Sequence, residues 1–160
     1  MIVPPKKEAV LQNRHVINNK REQIMKINYD EFAKILDTFL ESPGAFITLK
    51  DLNFFEVKGA EEESLHFHLL LLIGNGLICN RNLETGDPRL LGFVFTSRGI
   101  GGRAVPIMLT QAGHDFANAL HQKPILERLK KEFAEAPFEL VKDVSKSLLT
   151  KLIKDRLGLE

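Results

Sequence analysis

Two short stretches, "LLIGNGLI" (71–78) and "LTQAGHDF" (109–116), constrain the fold of this chain more than its composition does. In the first, a leucine-rich helical face runs into Gly74-Asn75-Gly76. Glycine or asparagine just past a helix lets the backbone turn left-handed and stop the helix. "LICNRN" then reads as a strand, so Gly76 stops the helix against it. In the second stretch, Thr110 is a predicted N-cap directly after the strand "AVPIML", and the helix "QAGHDFANALHQ" follows. Each half fixes one turn.

Around these two turns the periodicity predicts a mainly helical chain. Phe32, Ile35, Leu36, Phe39 and Leu40 recur at helical spacing from about Asp30, and Ser42-Pro43-Gly44 stops that helix. "AFITL" reads as a short strand, and "KDLNFFEVKGA" reads equally as a short helix or as a strand and turn. The next helix starts between Ala60 and Glu63, where three glutamates favour the positive end of the helix dipole. Leu65, Leu69, Leu72 and Ile73 form its apolar face. "ETGDP" is a turn, "RLLGFVFTS" a second strand, "RGIGGR" a glycine-rich turn and "AVPIML" a third strand, with Pro106 suited to an edge. Pro124 opens a helix to about Glu135, and Pro137 separates it from a last helix, about Phe138 to Leu157, which Gly158 caps. Residues 1–28 read as a polar arm, 29–121 as the main domain and 122–160 as a helical extension. "NKREQIM" fits a purine-rich coding run of the kind that precedes a bacterial start codon, so Met25 is expected to be an alternative start and residues 1–24 an extension; N-terminal mass spectrometry of the native product checks this.

With 44% hydrophobic and 27% charged residues over 160 positions, the chain is a globular domain with a core of its own. Its longest apolar run, Leu69 to Ile73, is far below the ~20 residues of a membrane span. Prolines and charges occupy the N-terminus where a signal peptide is apolar, so the expected location is the cytoplasm. Cys79 is the single cysteine, which excludes a disulfide framework or a cysteine zinc cluster. Net charge is +1, unevenly distributed. Residues 1–24 carry five bases against two acids, a net of +3, and residues 25–79 carry four against nine, a net of −5.

The order of helix, strand, helix closing in "GLI", β-hairpin and "LTxxG" resembles the winged helix of prokaryotic regulators such as the MarR and PadR families. "HLLLLIGNGLI" (68–78), "VPIMLTQAGHDFANAL" (105–120) and "SKSLLTKLIKDRLGL" (145–159) are more closely similar to a small winged-helix family of phages and mobile elements, a domain of unknown function. His68 and His114 stand where that family's pattern carries histidines, and the resemblance covers about residues 26–159. It implies an α+β, mainly helical fold: a winged helix with a small antiparallel wing and a C-terminal helical extension. It implies a genetic context and brings no reaction and no ligand.

In winged-helix regulators the second helix of the motif enters the major groove and the wing touches phosphate or the minor groove. Aligned on Gly76, the outward positions of that helix are His66, Phe67, Leu70, Leu71 and Gly74. Three of the five are large and apolar, whereas base edges need donors and acceptors. Glu61, Glu62 and Glu63 repel phosphate at the approaching end. The DNA-contact candidates are therefore His66 and the wing arginines Arg81, Arg89, Arg98 and Arg103. Phe67, Leu70 and Leu71 are interface candidates, since an exposed apolar patch marks a contact surface. They are covered by the arm, by the C-terminal helices or by another chain. The last helix has an apolar stripe, including Leu148 and Leu152, wide enough for its own core and a second copy, so a homodimer is expected.

Catalysis and cofactors are not expected. His66 and His68 are two apart, so on a helix they point different ways and make no metal pair. His114 is expected to be a hydrogen-bonded histidine at the junction between wing and helix. "RGIGGR" lacks the strand context and spacing of a phosphate-binding loop. Two readings stay open: a DNA-binding regulator of phage or mobile-element type, contacting duplex DNA, and a module whose recognition-like helix binds protein.

Overall fold

In the computed structural model of the chain, residues 26–159 are described. The expectations for residues 1–24 and for Met25 as a start lie outside the described residues. The fold is α+β and mainly helical, with five α-helices and two small antiparallel sheets among the described residues.

Helix α1, Tyr29–Leu40, begins where the Asn28 side chain accepts the Glu31 N–H at 3.2 Å. Tyr29, Phe32, Ile35 and Leu36 form its buried face, the spacing of one helical stripe. The segment expected as strand "AFITL" supplies only an isolated bridge, Ile47 to Ile107. It then turns into a 3-10 helix, Leu49–Leu52, because the Asp51 carboxylate reaches back to the Thr48 N–H at 2.8 Å.

Helix α2, Ala60–Gly74, buries Leu65, Leu69, Leu72 and Ile73 as expected, and also His66 and His68. Its end is closed by two backbone bonds, Gly76 N–H to Ile73 C=O at 3.0 Å and Leu77 N–H to Leu72 C=O at 2.9 Å. This pair is a Schellman cap and requires a left-handed residue, here Gly76 at φ +73°. Strand β1, Ile78–Asn80, pairs antiparallel with β4, Ile107–Leu109, Ile78 opposite Leu109.

Between them lies a 3-10 helix, Pro88–Leu91, and a hairpin of β2, Phe93–Thr96, and β3, Gly99–Gly102. "RGIGGR", read as a turn, is thus mostly a strand, and "RLLGFVFTS" splits into a 3-10 helix and a shorter strand. The glycines allow this. A Cβ on Gly102 would lie 2.8 Å from the Phe54 ring, and one on Gly92 2.8 Å from the Arg103 carbonyl, so the hairpin lies closely on the segment after the first 3-10 helix.

Helix α3, Gln111–His121, starts at the Thr110 cap, whose hydroxyl accepts the Gly113 N–H at 3.1 Å and donates to the Gly76 carbonyl at 2.7 Å. Helices α4, Lys123–Glu132, and α5, Phe138–Leu157, follow. Ile125, Leu129 and Val141 join the same core as α1 to α3. At its centre the Phe32 ring meets Phe116 at 5.8 Å, Phe138 at 5.4 Å and His68 at 4.9 Å, all edge-on.

Candidate functional site

Of the outward face that the alignment on Gly76 predicts, helix α2 leaves Phe67, Leu70 and Leu71 partly exposed and Gly74 exposed, but not His66. His66, placed outward and counted among the DNA contacts, is 6% exposed. Its ring lies 5.0 Å from Phe54 and 6.2 Å from Phe93, and its Nε2 has no hydrogen-bond partner among the described residues. The hairpin causes this correction: it folds back and brings Phe93 over a helix face that the isolated helix would leave open. A base edge has no access to His66 there.

Of Phe67, Leu70 and Leu71, none is fully exposed. Leu70 and Leu71 pack against the core, and the Phe67 ring meets His68 edge-on at 5.1 Å. From Ser64 to Ile73 no residue of α2 is fully exposed, while Gly74 is. The accessible end of the helix carries exposed Glu61 and Glu63. A carboxylate there repels phosphate.

His68 is wholly buried and fully wired. Its Nε2 accepts the Asn28 backbone N–H at 2.9 Å, so the ring proton sits on Nδ1 and goes to the Ser64 carbonyl at 2.7 Å. Burial holds its pKa below the ordinary 6.5, against smaller upward pulls from that carbonyl bond and from Glu31. His66 and His68, two apart, enter separate clusters, as the helical spacing implies. His114 is exposed and its side chain makes no hydrogen bond among the described residues, a correction to the bonded histidine expected at that junction.

The four arginines of segment 81–103 are all exposed. Arg81 rides on a turn organised by buried Asn80, whose Oδ1 accepts the backbone N–H groups of Asn82 and Glu84 at 2.9 and 3.0 Å. Arg89 clasps Asp87 through Nε and a terminal nitrogen, both at 3.2 Å; these bonds hold the Asp87 carboxyl below its usual range and raise Arg89. Arg103 donates to the Arg89 carbonyl at 3.2 Å, which brings these two arginines together at the hairpin base. Arg98 stands in the turn between β2 and β3. From Pro88 to His114 the chain has three arginines and no carboxylate. Lys26, Lys130 and Lys142 have acidic partners within 3.0 Å, but Arg81, Arg98 and Arg103 form no ion pair among the described residues. Among the described residues, Arg98 in the hairpin turn and Arg103 at its base thus stand without an acidic partner, while Arg89 is held by Asp87.

Two residues outside the sequence-based candidates also belong to this surface. Phe55 and Phe95 are 47% and 49% exposed. They end a run of rings: Phe55 to Phe54 at 5.3 Å, Phe54 to Phe93 at 5.3 Å, and Phe93 stacked on Phe95 at 6.0 Å. The alternation in "FVFT" is the signal that could have found Phe95, since residues two apart on a strand share a face.

The interface candidates Leu148 and Leu152 on α5 are half-buried against the chain's own core, while Leu140, Ile153 and Leu157 are exposed. Among the described residues no group of three or more His, Cys, Asp or Glu side chains is placed to hold a metal ion. No described helix is long and apolar enough to cross a membrane. No family model, curated protein or solved structure matches the chain.

Proposed function

We propose that the chain is a non-catalytic winged-helix protein of phage or mobile-element type that contacts duplex DNA through its wing, with helix α2 kept out of the major groove. In this reading α2 has the place of the recognition helix, β1 and β4 with the Ile47 bridge form the small sheet, and the β2–β3 hairpin is the wing. A cytoplasmic regulator fits that reading. The observation that carries it is the pair Arg98 and Arg103, exposed and without an acidic partner among the described residues, in a stretch from Pro88 to His114 that holds no carboxylate. A cationic protrusion of this kind binds phosphate and fixes orientation without reading sequence. The apolar, acid-tipped outer face of α2 supports assigning contact to the wing alone.

Fluorescence anisotropy with a random duplex tests the proposal. Binding is expected at low salt and should weaken as salt rises, with a log K against log[salt] slope of about −2 to −3 for two or three phosphate contacts. Arg98→Ala and Arg103→Ala should each flatten the slope by about one. No anisotropy change at low salt would refute the reading. The half-covered apolar ridge of Phe67, Leu70 and Leu71 favours a second reading, in which α2 binds a protein. Leu70→Lys separates the two: it spares or strengthens DNA binding but disrupts a protein interface.

A further inference from the structure

The ring run on the wing has a shape that duplex phosphate contact does not use. Phe54 and Phe93 are its buried anchors, and Phe95 and Phe55 are its half-exposed ends. Phe95 lies at 29° to Phe93 with ring centres 6.0 Å apart, so a buried ring backs the half-exposed one. The exposed part of Phe95 offers a planar apolar surface beside the hairpin turn.

We infer that Phe95, with Phe55 as a flanking ring, stacks on unpaired bases, so that the DNA whose duplex the wing contacts also carries single-stranded nucleotides. The inference rests on the wing reading above and names the class of DNA. Two observations favour this occupant. A duplex hides its base faces in the stack and offers a protein only base edges and phosphates, so a flat ring gains by stacking only on a base that is out of the stack. The charge around Phe95 also matches a phosphate chain: Arg98 lies in the adjoining turn, Arg103 is at the hairpin base, and no carboxylate occurs from Pro88 to His114. At the Phe55 end Glu56 and Lys58 offset one another, which makes Phe95 the leading contact. Among the described residues strand β3 pairs with β2 alone.

The experiment compares a labelled 20-nucleotide thymidine strand with a 20-base-pair duplex in the same low-salt buffer. The proteins are the full chain, Phe95→Ala, Phe95→Leu, Phe95→Trp and Arg98→Ala. Stacking on one base predicts that Phe95→Ala and Phe95→Leu weaken single-strand binding by roughly 5- to 100-fold and leave duplex binding unchanged. Phe95→Trp should retain single-strand binding, and Arg98→Ala should weaken both ligands. Phe95→Leu keeps an apolar side chain without a flat ring, so it decides the matter if Phe95→Ala fails to fold. Equal single-strand binding by the full chain and Phe95→Leu, with duplex binding intact, overturns the stacking proposal and leaves the wing reading standing. Binding of neither ligand by the full chain overturns the wing reading and the stacking proposal together. Concentration-dependent self-association without DNA, abolished by Phe95→Leu, would assign the rings to a protein contact and overturn the proposal.

Discussion

Replacing Gly113 by alanine places one methyl group against backbone. An alanine Cβ at this position would overlap the Leu77 carbonyl oxygen and stand 3.0 Å from its carbon and 3.2 Å from the Leu109 Cβ. Gly113 is not in the left-handed region, so the penalty is one of space and not of backbone conformation. Ordinary contact requires a separation of at least 1 Å between the start of α3 and the end of α2. The Leu77 carbonyl cannot simply swing away, because it accepts the Thr110 N–H at 3.0 Å. The movement strains that bond, worth about 0.5–1.5 kcal/mol, and the Thr110 cap, worth about 1 kcal/mol. Overpacking itself costs about 1–3 kcal/mol. These terms overlap, so the expected loss is about 3 kcal/mol, a large share of the 5–15 kcal/mol typical of a domain. With a urea slope of about 2 kcal/mol per molar, the midpoint should fall by roughly 1.5 M, read by far-ultraviolet circular dichroism. Gly74→Ala is the matched comparison: a Cβ there meets nothing within 4 Å, and the change should stabilise α2 by about 0.5–1 kcal/mol. A Gly113→Ala protein with the wild-type midpoint would refute the close approach of α3 to the end of α2.

Further perturbations address other parts of the molecule. Burial lowers the His68 pKa, so the unfolded chain takes the proton more readily than the folded one. The contribution of His68 is therefore complete above about pH 6.5 and is lost as pH falls through its lower folded value; urea midpoints at several pH values should show this slope, and His68→Gln should remove it. Leu148→Ala removes a half-buried side chain from the core contact of α5 and should cost about 1–2 kcal/mol. Its midpoint should not depend on protein concentration, whereas a leucine held between two copies would give a midpoint that does.

The parts legible in the sequence were those decided within a few residues. Helix α1 follows from its apolar spacing, and the end of α2 and the start of α3 follow from Gly76 and Thr110. The 3-10 helix at Leu49 had a local signal, Thr48 followed three residues later by Asp51, which the β-branched residues of "AFITL" masked. Strand β3 had none. "GIGG" is strand because it pairs with "FVFT" and because Gly102 gives room to the Phe54 ring, both contacts remote in sequence. The burial of His66 has the same origin. A helical projection gives its direction, but the cover comes from Phe54 before the helix and Phe93 after it.

The bond between the Asn28 N–H and His68 bears on how local opening of the molecule can be observed. Amides at the start of a helix normally exchange their hydrogens with water quickly, since the first four have no partner within the helix. Asn28 is an exception, tied to the ring nitrogen of a buried residue on a neighbouring helix. Its exchange rate therefore reports the separation of α1 from α2 and not the fraying of α1 itself. A proton on that nitrogen removes the acceptor, so the same amide also records the titration of His68. One backbone hydrogen thus serves as a native probe of both the packing and the protonation state at the centre of the fold.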